Sequence, residues 1–146
     1  MEEIIKIKKL DEKAQIPTYG SNEAAGADLY TNIQEKITLK PGETYFFPTG
    51  ISLEIPIGMV GLIFARSGLG CKSGLAPANK VGVIDSDYRG EIIVALHNHS
   101  KEERVINPHD RIAQIVFMPY VKGIFEVRDE LETSNRNNGW FGSTGF

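Results

Sequence analysis

Short β-rich runs separated by proline and glycine fill this chain and leave almost no room for a helix. The runs are Ile4-Ile-Lys-Ile7, Lys36-Ile-Thr-Leu39, Thr44-Tyr-Phe-Phe47 and Ile51-Ser-Leu-Glu-Ile55. Val60-Gly-Leu-Ile-Phe64, Glu91 to Leu96, Ile112 to Phe117 and Ile124-Phe-Glu-Val127 follow. Pro41-Gly42, Pro48, Thr49-Gly50, Pro56, Gly58, Asn107-Pro108 and Gly123 punctuate them. Proline removes a ladder donor and glycine supplies turn conformations, so these residues end strands. Ile51, Leu53 and Ile55 alternate with Ser52 and Glu54, the pattern of a half-buried antiparallel strand. Many short strands at this spacing predict an all-β fold, a sandwich or jelly roll. One short helix is expected from Arg66-Ser67 onward, with Ser67 capping its first turn.

A chain of 146 residues makes one domain with a single core. No internal repeat or linker divides it, so residues 1–132 are read as the β body and 133–146 as a mobile tail. A net charge of −3 excludes a general nucleic-acid or membrane-surface binder, which needs a basic face. An anionic ligand would have to be held by a few local cations and backbone amides. Cys71 is the single cysteine, so no intrachain disulfide forms and a reducing compartment suits the chain. Met1-Glu-Glu-Ile-Ile-Lys lacks the positive-then-apolar order of a signal peptide, and the longest apolar runs are too short to span a bilayer. A cytoplasmic location is expected.

The richest local chemistry lies in Gly82-Val-Ile-Asp-Ser-Asp-Tyr-Arg-Gly-Glu-Ile92. Asp85 and Asp87 sit with Tyr88 and Arg89 in a glycine-bounded turn ahead of an apolar strand, which is how a catalytic base is often presented. Asp-Tyr-Arg-Gly is also ordinary hairpin chemistry. Ala65-Arg-Ser-Gly-Leu-Gly70 follows an apolar strand and offers a cation and a serine at a helix start, which suits a phosphate, or is a plain surface turn. It has neither P-loop nor nucleophile-elbow spacing. In His109-Asp110-Arg111-Ile-Ala-Gln114, either Gln114 donates to an anion or Asp110 and Arg111 form a local ion pair. Asp28, between small residues in Ala25-Gly-Ala-Asp-Leu-Tyr30, turns toward a metal or satisfies backbone donors in a turn. His97 and His99 share a strand face but lack the third and fourth ligands of a zinc site.

The tail, Arg136-Asn-Asn-Gly-Trp-Phe-Gly-Ser-Thr-Gly-Phe146, combines a cation, two adjacent aromatics, glycines and two hydroxyls. Glycines let backbone N–H groups approach phosphate oxygens, and Trp140 or Phe141 can cover a flat base. Two aromatics in such a segment favour a closing lid over a solvated end.

Taken in order, these five pieces resemble the five motifs of the homotrimeric dUTP pyrophosphatases, the dUTPases, over nearly the whole chain. The resemblance implies a distorted β jelly-roll barrel that forms a trimer with active sites shared between subunits. It implies hydrolysis of dUTP to dUMP and pyrophosphate, which limits uracil in DNA and supplies dUMP for thymidylate synthesis. Asp85 would activate the attacking water, and Tyr88 would pack under the deoxyribose. Asn79 and the backbone of Gly82, Val83 and Ile84 would read the uracil edge. Arg66, Ser67, Gly68 and Gln114 would hold the phosphates. Arg136, Phe141, Gly142, Ser143 and Thr144 would close over the nucleotide. Mg²⁺ would be held mainly by substrate phosphates and water, with Asp28 as indirect support. No direct nucleic-acid or membrane partner is implied.

Two departures stand out. The family tail reads Arg-Gly-x-Gly-Gly-Phe-Gly-Ser-Thr-Gly, whereas Asn137 and Trp140 replace two of its glycines here. Ala65 stands where proline often precedes Arg-Ser-Gly. Two other readings remain beside the dUTPase: a dCTP deaminase-like enzyme of the same fold, and a non-catalytic nucleotide- or partner-binding jelly roll.

Overall fold

The computed structural model describes residues 2–140. Twelve strands and one helix make up the body. The strands are β1 (Lys6–Lys9), β2 (Thr18–Tyr19), β3 (Ala27–Tyr30), β4 (Ile37–Leu39), β5 (Thr44–Pro48) and β6 (Ile51–Glu54). β7 (Met59–Phe64) leads into α1 (Ser67–Ser73), followed by β8 (Leu75–Pro77), β9 (Gly82–Ile84), β10 (Ile93–Asn98), β11 (Arg104–Ile106) and β12 (Arg111–Pro119). All pairings are antiparallel. The largest sheet runs β2-β3-β12-β7-β9, and smaller sheets are β5-β10-β8, β1-β6 and β11-β4. The chain passes repeatedly from one sheet to another around a common core, which makes it an all-β jelly roll.

Alternation explains where the core sits. In β10, Val94, Leu96 and Asn98 face inward while Ile93 lies outside. Phe47, Leu29, Ile51, Ile92, Leu96, Ile112 and Ile115 come together as large, fully buried side chains from different sheets. Burying such side chains is worth roughly 1.5–3 kcal/mol each relative to exposure. That term drives collapse of short strands that would not be stable in isolation.

Several expectations change against the structure. β2, β3, β8, β9 and β11 occur where no strand was expected, and each is only two to four residues long. The strand expected over Ile124 to Val127 does not form. The chain leaves the body after Tyr120, whose N–H donates to the Gly58 carbonyl at 3.1 Å. Among the described residues no strand runs beside 124–127, and a strand without a partner has no ladder to define it. Ser67 does not cap α1. Arg66 occupies the cap position with extended backbone, and no side chain bonds to that end.

One buried polar side chain ties the loops together. Asn98 is fully buried, and its Nδ2 donates to the Leu39 carbonyl at 3.0 Å and the Glu102 carbonyl at 2.8 Å. Its Oδ1 accepts from the Ser100 N–H at 3.0 Å and the Ser100 hydroxyl at 2.7 Å. Asn98→Ala would take these partners from the Leu39 carbonyl and the Ser100 N–H, while the Ser100 hydroxyl and the Glu102 carbonyl keep each other at 3.0 Å, so stability should fall by about 2–4 kcal/mol. Urea unfolding of the two proteins measures this, and an unchanged midpoint would refute the role.

Candidate active site

The side chains singled out by sequence fall into two clusters and a tail. The first cluster is built on β9. This strand lies at the end of its sheet, pairing with β7 through Gly82↔Ile63, Val83↔Leu62 and Ile84↔Gly61. Its other edge faces no strand among the described residues; along it Val83 is exposed, Ile84 half-buried and Gly82 buried. The Asn79 side-chain amide lies close to Gly82, 3.5 Å from where a Cβ would stand. Asp85 follows directly after β9 as an exposed carboxylate.

A tight turn then brings Tyr88 back. The Tyr88 N–H donates to the Asp85 carbonyl at 3.2 Å, and the Tyr88 hydroxyl donates to the Glu91 carbonyl at 3.0 Å. The ring crosses Gly90 so closely that a Cβ there would lie 2.4 Å from the hydroxyl oxygen. Only glycine leaves that space. Val83, Ile84, Asp85, Tyr88, Glu91 and Ile93 line an open groove of about 240 Å³. Sequence reasoning missed Glu91 and Ile93. Glu91 closes the back of the turn, since its Oε1 accepts from the Gly50 N–H at 2.8 Å.

The second cluster centres on Asp28, which lies on β3 and not in a turn. Its Oδ1 accepts from Arg66 Nε at 2.7 Å and its Oδ2 from Arg111 Nη1 at 3.2 Å. Asp28 is buried, and a buried carboxylate needs such partners. Arg111 therefore pairs with Asp28 and not with Asp110, whose Oδ2 accepts instead from the Asn107 N–H at 2.7 Å. Gln114 lies opposite Asp28 in the β12–β3 ladder, and its Nε2 donates to the Ala65 carbonyl at 2.9 Å. Gly26 makes room for it, because a Cβ there would meet Gln114 Oε1 at 2.3 Å. Arg66, Ser67, Gly68 and Gln114 thus surround the start of α1, where the uncapped first-turn N–H groups lie.

The two clusters do not share a groove within one chain. β3 and β9 are three strand positions apart in the sheet, about 14 Å. The Asp28–Gln114–Phe64 row and the Gly61–Ile84 row are three residues apart along β7, roughly 10 Å. The 240 Å³ groove also falls below the roughly 300–1,000 Å³ of complete small-molecule sites.

The donor set is equally informative about metals. No group of three or more His, Cys, Asp or Glu side chains that could hold an ion occurs among the described residues. Asp28 already serves two guanidiniums.

Arg136 lies in an exposed turn of the tail, and Trp140 is exposed beyond it. Phe141, Gly142, Ser143 and Thr144 lie outside the described residues. No helix among the described residues is long and apolar enough to cross a membrane.

Removing the shared counter-ion tests the second cluster. Asp28→Asn leaves Arg66 and Arg111 facing a neutral amide and should cost about 1–3 kcal/mol of stability. Thermal or urea unfolding reads it, and an unaltered melting curve would mean that the two ion pairs contribute nothing.

A family model described as dUTPase matches residues 12–145. The deoxyuridine 5'-triphosphate nucleotidohydrolase of Desulfitobacterium hafniense is 47% identical over 146 residues, with 97% of each chain covered. That of Syntrophotalea carbinolica is 45% identical over 142 residues, again with 97% of each covered. A mutant dUTPase of Staphylococcus bacteriophage 80alpha, solved with dUpNHpp, superposes with a TM-score of 0.89 at 25% identity, covering 99% of this chain and 100% of that one. A mutant dUTPase from phage phi11 of S. aureus, described with a structural Mg(II) ion, gives 0.80 at 25% identity, covering 90% and 100%. The chain belongs to the dUTPase family.

Proposed function

We propose that this protein is a dUTP diphosphatase, hydrolysing dUTP to dUMP and pyrophosphate. The observation that carries the reading is the open edge of β9, ending in Asp85 with Tyr88 turned back beside it. A strand edge presents alternating N–H and C=O groups in one line, which matches the donor and acceptor pattern of a uracil edge. Gly82, Val83 and Ile84 supply that line, and the Asn79 amide adds a further partner. Tyr88 offers a flat face to an unsubstituted deoxyribose.

Asp85 takes a proton from water as its oxygen bonds to the α-phosphorus. The bond from the α-phosphorus to the bridging oxygen breaks, and pyrophosphate leaves. Arg66, the Ser67 hydroxyl, the Gly68 N–H and Gln114 bind phosphate oxygens, since the Gln114 amide nitrogen has a second N–H beside the one given to the Ala65 carbonyl. Asp28 holds Arg66 in place and screens it from Arg111. When bound to the triphosphate oxygens and water, Mg²⁺ supplies charge neutralisation and orientation. Catalysis rests mostly on positioning and electrostatics.

A complete site requires more than one copy, and a homotrimer meets that need. The separation of the two clusters supports it. So does the exposed arm after β12, where Val121, Ile124, Phe125, Val127 and Leu131 are between 85% and 100% exposed. Apolar residues in such a run call for a protein surface to cover them. β1 offers a strand edge with no second partner among the described residues, beside a groove containing Lys6, Lys8 and Arg89. Beside its Glu126–Arg128 ion pair the arm carries Asp129, Glu130 and Glu132, which suit the Lys8 and Arg89 part of that groove. From residue 133 the tail serves as the lid, with Arg136, Phe141, Gly142, Ser143 and Thr144 closing on the nucleotide.

Incubation with dUTP or dCTP and Mg²⁺, monitored for pyrophosphate and ammonia, tests the reading. Pyrophosphate from dUTP alone is expected. Ammonia from dCTP would identify a deaminase, and neither product a binding protein. Asp85→Asn should lower kcat by about 10²–10⁴-fold, the span of a general base. Near-parental turnover in that variant would remove Asp85 from the reaction. A ribose hydroxyl would collide with the Tyr88 ring, so kcat/KM for UTP should lie far below that for dUTP. Comparable values for the two nucleotides would refute the Tyr88 role.

A further inference from the structure

The exposed tail carries an ordered turn around Arg136. The Ser134 N–H donates to Asn137 Oδ1 at 3.0 Å, and the Asn137 N–H donates to Ser134 Oγ at 3.1 Å. The Asn137 N–H also reaches the Ser134 carbonyl at 3.2 Å, and the Gly139 N–H donates to the Arg136 carbonyl at 2.9 Å. The side chains of Ser134 and Asn137 each satisfy the other's backbone donor, the reciprocal logic of a capping box. Asn137 has a φ of 42°, in the left-handed region that asparagine tolerates better than other non-glycine residues. Two overlapping turns, 134–137 and 136–139, therefore enclose the Arg136 backbone.

We propose that Ser134 and Asn137 are positioning residues, which set the direction of Arg136 before substrate arrives. The inference rests on the reading of this chain as a dUTP diphosphatase. Where glycine stands in the family pattern, Asn137 keeps the left-handed backbone and adds a side-chain acceptor that glycine lacks. An unlocked tail must lose backbone freedom at each residue when it closes on the triphosphate. The reciprocal bonds have already removed part of that freedom, so closure costs less and the substrate binds more tightly. Arg136 contributes this gain to substrate and transition state alike, which places the effect on KM and not on kcat.

Ser134→Ala removes the hydroxyl acceptor, and Asn137→Gly removes the amide acceptor while permitting the same φ. Each should raise KM for dUTP by about three- to tenfold with kcat within twofold of the parent. Ser134→Thr keeps the hydroxyl and should restore the parental KM. Trp140, the single tryptophan, reports the turn independently of activity. Its fluorescence anisotropy in the free protein should fall in Ser134→Ala and Asn137→Gly but not in Ser134→Thr. Parental KM values in both loss variants of an active enzyme would overturn the positioning role alone. A raised KM with unchanged anisotropy would also overturn it, since the side chains would then act by touching substrate. If the parent does not hydrolyse dUTP, the functional reading fails and this inference falls with it.

Discussion

β12 is the constraint on which this structure depends. It is nine residues long in a protein of very short strands, and it lies between β3 and β7 in the five-stranded sheet. Ile112, Ala113 and Ile115 are fully buried along it, so its register cannot slip without exposing the core. Through β3 it fixes Asp28, and through β7 it fixes both the start of α1 and the β9 edge. The candidate site residues lie on short loops and strand ends hung from this one rigid element. That division is economical physically, because loops carry the groups and the sheet supplies the precision.

The all-β class and the principal strands were legible because alternation and proline–glycine punctuation are local signals. β5, β6, β7, β10 and β12 lie within a few residues of the runs that the sequence marks. β3 and β9 were not legible, since three or four residues containing Gly, Asp or Ala have no period and look like turns. Their strand character comes from neighbours across the sheet, and a sequence window does not contain neighbours. The same reason hid the partner of Arg111. Asp110 is adjacent in sequence, but Asp28, 83 residues away, takes the bond. Ile124 to Val127 failed in the opposite direction. Its residues have the right composition for a strand, yet a strand forms only against another, and this chain offers it none where it lies.

The two clusters are separate local structures within one chain. The groove at Asp85 and the arginines at Asp28 are each complete as local structures, with hydrogen bonds that close within the chain. Neither depends on the other to fold. Under the trimer proposed above, each copy brings both clusters already folded. In that proposal the exposed apolar arm supplies the area for association, and the charged residues around it restrict where it lands.

The register of β12 against β3 shifts between Arg111 and Ala113, with Arg111 opposite Tyr30 and Gln114 opposite Asp28. In a regular strand, residues three apart point to opposite faces. One inserted position reverses that parity, so Arg111 and Gln114 emerge on the same side, both toward Asp28. Ile112 and Ala113 consequently bury side by side, where a flat strand would have buried only one of them. A strand shortened here by a single residue would still pair along most of its length. It would, however, turn its arginine toward the apolar interior and leave Asp28 with one cation in place of two. The kink works as a switch of facing: one extra residue, invisible to any count of hydrophobic alternation, decides on which side of the sheet a charge appears.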